Sequence, residues 1–342
     1  EIMAWIIGWD LILEMLMAGS VISKYWGVYL NDFMRLMGWN ANTNLTFGSF
    51  HIDIAPIIIV AFFTTLLVFG TKIGARVDGA MTVLKIAIVF FVVIVGFFYV
   101  KASNFTPFIP PSQPASTVEG SSAVTGVMTQ PLWQFATGMT PSVYGVPGIL
   151  SGAALVFFAF IGFDVVATAS EETKNPHKNV PLGIGVGMLL IIVMYMLVAV
   201  VTTGMVSYAD LAKQDSPSLA TAFELVGADW AAKIISFGIV LGLATVVMVL
   251  LLGLTRIVFA MSRDGLLPRG LSKTGKHGTP AALQIVVGAV VALVAAFFDI
   301  GVLSDMVNIG TLSAFTLVAI SIPIMRKKRP DLPRAFKMPG SP

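Results

Sequence analysis

Ionisable side chains inside long apolar segments are the first feature of the sequence that suggests chemistry. They are Asp10, Glu14, Lys85 and Asp164. A charged residue at the centre of a membrane-inserted helix costs on the order of 2.5–3.5 kcal/mol, so such residues usually have a functional reason. Asp10 and Glu14 are four positions apart and share one helix face. This pair fits a cation site, a proton site or a pocket for a basic side chain, and it equally fits a hydrogen-bonded structural contact between helices.

Lys85 and Asp164 are expected at similar depths in two different apolar segments. At 1.5 Å per residue, Lys85 is roughly 9 Å from the inner edge of its segment and Asp164 roughly 24 Å from the outer edge, with the inner side defined by the loop charges below. These depths are compatible with a direct or relayed ion pair. Lys85 has two further interpretations: a stem that snorkels to the inner interface, or a tethered cation that carries a proton in a transport cycle.

A glycine surrounded by aromatic residues interrupts the same segment as Asp164. Gly162 lies in Phe158–Phe163, near the middle of an apolar run. A broken helix at this point would expose carbonyl and amide groups that can bind a charged ligand. Close packing of two helices is the commoner reason for a glycine in such a segment, and both interpretations stay open on these residues alone.

Two adjacent acidic residues follow at the inner end of this segment. Glu171 and Glu172 lie where a helix C-terminus is expected, and negative charge is unfavourable there. Basic partners on the same side would compensate for it, and Arg76, Lys178 and Arg263 are the candidates. The pattern predicts either an ion-pair gate on the inner side or a solvated helix end.

The composition indicates what positions these residues. Of the 342 residues, 56% are hydrophobic and only 11% are charged, and the mean hydropathy is +0.89. A soluble domain carries about 25% charged residues, so this chain cannot cover itself with a solvated surface. We expect eight apolar segments of membrane-spanning length. They are 2–23, 52–71, 79–100, 148–170, 182–206, 230–254, 281–298 and 302–325.

The loop charges predict the orientation of these spans. Of the 21 Lys and Arg residues, 15 lie in segments on the side where the first span begins and 5 on the other side, which marks the first side as cytoplasmic. A long outer loop, 101–147, separates the third and fourth spans. The chain has no cysteine and no phosphate-binding glycine loop, and its three histidines are scattered. These features argue against an ATP-driven pump, a metal centre, a nucleic-acid-binding surface and an enzyme.

Two motifs resemble signatures of a known family. The stretches "GFDVVATASEETKNPHKNVPLGI" (162–184) and "TRIVFAMSRDGLLP" (255–268) are similar to those of the amino acid–polyamine–organocation transporters. The stretches "IIGWDLILE" (6–14) and "RPDLPRAFKMPG" (329–340) resemble the cationic amino acid transporter branch. The resemblance implies an all-α integral membrane protein with a LeuT-like fold of two inverted five-helix repeats.

The resemblance also implies how much of that fold is present. The eight spans match the third to tenth helices, so 1–342 is expected to be one membrane transport domain truncated at both ends. The sequence begins directly at the first predicted span and ends within a predicted loop. Both features also suggest a fragment of a longer chain.

Site residues follow from the resemblance at matching positions. The substrate is expected to meet unwound backbone in the fourth span and a carboxylate near the side-chain pocket, Glu14. The unwound residues are Phe158, Ala159, Phe160, Ile161, Gly162 and Phe163. Lys85 matches a lysine that occupies the sodium position in proton-coupled relatives, and Asp164 follows the unwound segment. Glu171, Glu172 and Arg263 are the expected cytoplasmic gate.

The leading hypothesis is a secondary active transporter in the cytoplasmic membrane. It would carry amino acids together with protons by alternating access, surrounded by lipid and without a cofactor. An amino acid exchanger is the alternative within the transport class, and a sensor that binds an amino acid without transporting it is the alternative outside that class. The residues do not predict which amino acid is carried.

Overall fold

The computed structural model describes residues 2–39, 43–47, 50–69, 71–115, 132–162, 173–214, 218–275, 279–329 and 331. This part of the chain is predominantly helical. Its α-helices are α1 (Ile2–Leu36), α2 (Ile54–Phe69), α3 (Thr71–Phe97), α4 (Leu132–Thr137), α5 (Gly145–Val156), α6 (Pro176–Met205), α7 (Tyr208–Ala212), α8 (Leu219–Leu225), α9 (Asp229–Arg263), α10 (Ala281–Phe297) and α11 (Ile300–Lys328).

Short elements complete the fold. Two antiparallel hairpins pair β1 (Asn44–Phe47) with β2 (Phe50–Asp53), and β3 (Gln113–Pro114) with β4 (Ser142–Val143). The 3₁₀-helices are Ala102–Phe105, Phe157–Phe160 and Arg269–Ser272.

Apolar helices lie in each of the eight predicted segments. Within the described residues, five helices are long and apolar enough to cross a membrane: α1, α3, α6, α9 and α11. Three shorter apolar helices, in α2, the α5 region and α10, match the remaining segments. The protein is therefore a multi-pass membrane protein, as predicted, whereas the count of eight spans stays a prediction.

The first helix is 13 residues longer than its predicted span, which ended at residue 23. The extra turns contain charged residues that pair with other elements. Lys24 forms an ion pair with Asp53 and donates to the carbonyl of Ala295 (3.0 Å). Arg35 binds Glu224 of α8 through both guanidinium nitrogens, at 3.0 and 3.3 Å. These contacts let the helix continue beyond the apolar segment.

Helices α1 and α9 form the centre of the bundle. About half of the apolar window of each is buried, against 6% for α6 and 11% for α3. The main core joins α1, α2, α9, α10 and α11, and a second core joins α3, α6, α8 and the start of α9. Glycines allow close approach between central helices: Gly8 of α1 lies against Met261, and Gly19 lies against Val291.

Helix directions follow from contacts between α1, α10 and α11. Ser20 of α1 donates to the carbonyl of Val291 of α10 (3.3 Å), and Lys24 of α1 donates to that of Ala295 of α10. A step of four residues along α1 thus corresponds to a step of four residues in the same direction along α10, so the two helices are parallel. Two residues separate α10 from α11, and the Asp299 side chain caps α11 by accepting from the Gly301 amide (2.8 Å). This tight turn makes α11 antiparallel to α1.

Candidate functional site

The α-helical conformation of the fourth predicted span ends inside the predicted segment. Helix α5 stops at Val156, a 3₁₀ turn follows over Phe157–Phe160, and Ile161 is extended (φ −60°, ψ 137°). Gly162 has a φ of +113°, a conformation that side chains with a Cβ rarely adopt. The α-helix thus ends before this glycine, as the break predicted there requires, and among the described residues no atom lies within 4 Å of a Cβ built at Gly162.

Aromatic contacts hold the interrupted segment in place. The ring of Phe157 meets Phe315 of α11 edge-on, with centroids 5.8 Å apart. The ring of Phe160 meets Tyr195 of α6 in the same way at 5.4 Å. Phe158 and Ile161 pack against the main core. The segment is thus fixed between α6, α11 and the central helices.

One carbonyl released by the interruption has a side-chain donor. The hydroxyl of Tyr195 donates a hydrogen bond to the carbonyl of Ala159 (2.9 Å). Sequence inspection did not single out Tyr195, because a tyrosine in an apolar span is ordinary and its partner is a backbone group.

We expect Tyr195→Phe to weaken binding of the amino acid that the sequence resemblance predicts as substrate, without unfolding the protein. Phenylalanine keeps the ring contact with Phe160 and removes only the hydrogen bond to Ala159. A neutral hydrogen bond contributes about 0.5–1.5 kcal/mol net, so we expect substrate affinity to fall by roughly two- to tenfold. Equilibrium binding of radiolabelled alanine measures this change. Tyr208→Phe, at an exposed tyrosine outside the interrupted segment, is the control, and equal effects of both variants would contradict a specific effect of the Tyr195 hydrogen bond.

The predicted carboxylates lie on α1 where it meets α11. Glu14 is only 1% exposed, and Ile12 and Met15 on either side of it along α1 belong to the main core. Asp10 is partly buried, and its Oδ1 lies 3.6 Å from the position that a Cβ would take at Gly310 of α11. The face shared by Asp10 and Glu14 is therefore turned toward the bundle.

Lys85 lies on α3 with its stem along α9. Its Cγ and Cε are 3.5 and 3.8 Å from the position of a Cβ at Gly242. Ile88, one turn further along α3, packs more closely on α9 than Lys85 does. Its side chain fills the space beside Gly238. Two glycines four residues apart thus form a groove on α9 that receives Lys85 and Ile88. This packing favours a fixed cation over a lysine that snorkels freely.

Part of the predicted site lies outside the described residues. Phe163, Asp164, Glu171 and Glu172 belong to 163–172, so the ion pair between Lys85 and Asp164 and the acidic half of the gate stay predictions. Arg263, the remaining gate residue, is the last residue of α9; its Nε lies 3.4 Å from the carboxylate of the adjacent Asp264.

Two buried polar residues of α11 were missed by sequence inspection. Asn308 is 8% exposed and Thr311 is fully buried, and within the described residues Asn308 Oδ1 and Thr311 Oγ1 have no hydrogen-bond partner. Both are neutral, so the cost of burying charge did not identify them. The signal was nevertheless present as polar residues in "MVNIGTLSAF" (306–315), inside an apolar span.

An interrupted apolar helix beside buried polar groups is an arrangement typical of secondary transporters. The family model for amino acid permeases matches residues 2–342. The chain therefore belongs to the amino acid permease family, within the amino acid–polyamine–organocation superfamily. This membership confirms the resemblance found in the sequence and the expectation of a permease rather than an enzyme.

Individual relatives differ in the compounds for which they are named. The chain is 40% identical to the branched-chain amino acid permease BcaP of Bacillus subtilis (strain 168) and 36% identical to the methylthioribose transporter of the same strain. Each match covers 100% of this chain and 68% of the relative. The vacuolar cationic amino acid transporter 4 of Arabidopsis thaliana is 33% identical over 97% of this chain and 51% of its own length. The chain thus spans about half of the plant relative.

Proposed function

We propose that the protein moves amino acids across the cytoplasmic membrane, coupled to protons, by alternating access. The observation that supports this function best is the end of the α-helix at Phe157–Gly162, in the middle of an apolar span. Backbone groups freed there can bind the charged ends of an amino acid in a site shielded from lipid. The packing of this segment against α11 places it beside the helix that contacts Asp10.

Substrate binding is assigned to backbone and side chain together. The amine of the substrate meets carbonyls of the interrupted segment, Phe158–Phe163, because carbonyl oxygens are the acceptors a broken helix provides. Glu14 lies on the central helix α1 and is buried, so its carboxylate is in the interior of the bundle and not in contact with lipid. It contributes to the pocket for the substrate side chain.

Coupling is assigned to Lys85, with Asp164 as its proposed counter-ion. The packing of the lysine stem on Gly242 supports a cation held against α9. Gain and loss of its proton would link substrate binding to the proton gradient. Glu171, Glu172 and Arg263 are proposed to close the cytoplasmic side, and a LeuT-like arrangement of inverted repeats would let the two halves move around this site.

Uptake by the complete protein in proteoliposomes tests the proposal. We expect radiolabelled alanine or arginine to accumulate faster with an inward proton gradient than without it. Uptake that occurs only when the vesicles are preloaded with amino acid would show exchange instead of symport. Specific binding without any flux would identify a sensor and contradict transport.

A further inference from the structure

Asn308 and Thr311 of α11 are buried acceptors that the proposed function does not yet use. Asn308 Oδ1 and Thr311 Oγ1 are shielded from solvent and have no hydrogen-bond partner within the described part of the chain. Buried polar atoms are nearly always hydrogen-bonded in folded proteins, because leaving them unsatisfied is costly. A ligand that brings hydrogen-bond donors would satisfy both atoms.

The position of Asn308 along α11 matches the two carboxylates of α1. Asp10 contacts α11 at Gly310, and the two helices are antiparallel. Asn308 precedes Gly310 by two residues, so along the helix axis it lies about 3 Å nearer to the level of Glu14 than Gly310 does. Glu14 follows Asp10 by four residues, or about 6 Å, in the same direction. Asn308 therefore lies at a level midway between the two carboxylates.

The same face of α11 reaches the interrupted helix. Asn308, Thr311 and Phe315 are spaced i, i+3 and i+7, so they share one face. Phe315 contacts Phe157 where the α-helix ends. The face of α11 that carries Asn308 and Thr311 thus lies beside the segment that is proposed to bind the substrate backbone. This arrangement suits the outer part of a substrate side chain.

We propose that Asn308 and Thr311 determine which side chains the permease accepts. They favour amino acids whose side chains donate hydrogen bonds over amino acids with purely apolar side chains. The inference rests on the proposed transport function and adds its specificity. An N–H donor on the substrate satisfies the buried acceptors, whereas a leucine side chain would leave them unpaired inside the bundle. The preference is expected despite 40% identity to a relative named for branched-chain substrates.

Competing uptake of arginine, glutamine and leucine by the complete protein tests the proposal. Asn308→Leu keeps the size of the side chain and removes its polar atoms. We expect it to lower the ratio of kcat/KM for arginine to that for leucine by about tenfold, the effect of one lost hydrogen bond to a charged group. The ratio of kcat/KM for glutamine to that for leucine should fall as well. Because glutamine is uncharged, this result would separate hydrogen-bond donation from charge pairing with the unchanged Glu14. Thr311→Val, which keeps the shape, should change both ratios in the same direction.

Thr64→Val is the matched control. Thr64 of α2 is also buried, and its hydroxyl has no partner within the described residues, but it faces Gly288 of α10. Its replacement should leave both ratios unchanged. If Asn308→Leu fails to fold, as judged by size-exclusion chromatography in detergent, the two kcat/KM ratios of Thr311→Val test the proposal. Ratios within twofold of wild type, or an equal shift in the control, would overturn the proposal. Absence of uptake by the wild type would contradict the transport function instead.

Discussion

Replacing Lys85 by alanine should abolish the stimulation of amino acid uptake by an inward proton gradient. The variant should fold, because alanine favours the helix and the proposed counter-ion, Asp164, can take up a proton once the lysine is gone. Uptake driven by the amino acid gradient alone should persist, so the ratio of rates with and without the proton gradient should fall to about one. Initial rates in proteoliposomes at several external pH values measure this ratio. Unchanged pH dependence would contradict the coupling role and favour a snorkelling lysine.

The groove on α9 provides a second test of the same role. A Cβ at Gly242 would lie at ordinary contact distance from the lysine stem, so Gly242→Ala should leave coupling intact. Leucine at this position would occupy the space of the Lys85 stem and displace the ammonium group, so Gly242→Leu should reproduce the loss of coupling seen with Lys85→Ala. Lys233→Ala, at an exposed lysine near the start of α9, controls for loss of positive charge. Equal coupling in the alanine and leucine variants would argue against a fixed position of Lys85.

Helix positions were predictable because membrane spans are long and apolar. The predicted span 52–71 contains Ile54–Phe69, and 281–298 contains Ala281–Phe297. The ends of α1 were not predictable in this way. Residues 24–36 continue the helix because Lys24 and Arg35 find partners more than 25 residues away, in Asp53 and Glu224. Partners so distant in the chain are set by tertiary packing, which hydropathy does not encode.

Charged site residues were identifiable from the cost of burying them, and neutral ones were not. Glu14 and Lys85 stood out because insertion of a charge demands compensation. Asn308, Thr311 and Tyr195 cost less to insert. Their proposed roles depend on the burial of Asn308 and Thr311 and on the hydrogen bond from Tyr195 to Ala159. The proposed pocket joins α1, α11 and the interrupted segment, and these lie more than a hundred residues apart in the sequence. Its geometry is a property of the helix crossings and not of any local motif.

Gly162→Ala should lower amino acid uptake at least tenfold while leaving the protein folded. Alanine is strained at a φ of +113°, and an unusual backbone conformation costs of the order of 1–3 kcal/mol. Relief of this strain favours continued helix through Phe160, in which intrahelical amides would occupy the carbonyls assigned to the substrate. The loss should therefore appear mainly as weaker binding. Equilibrium binding of radiolabelled alanine, together with uptake, separates this effect from slower turnover.

Gly152→Ala distinguishes backbone conformation from the mere addition of a methyl group. In the described part of the chain, a Cβ at either glycine meets no atom within 4 Å, but Gly152 lies within α5 and has no positive φ. Alanine there should preserve uptake and stabilise the helix by up to about 1 kcal/mol. A thermal unfolding series in detergent would show this gain. If both variants kept normal uptake, the interrupted backbone could not be the substrate site. If both lost it, crowding of the pathway and not the left-handed turn at Gly162 would be responsible.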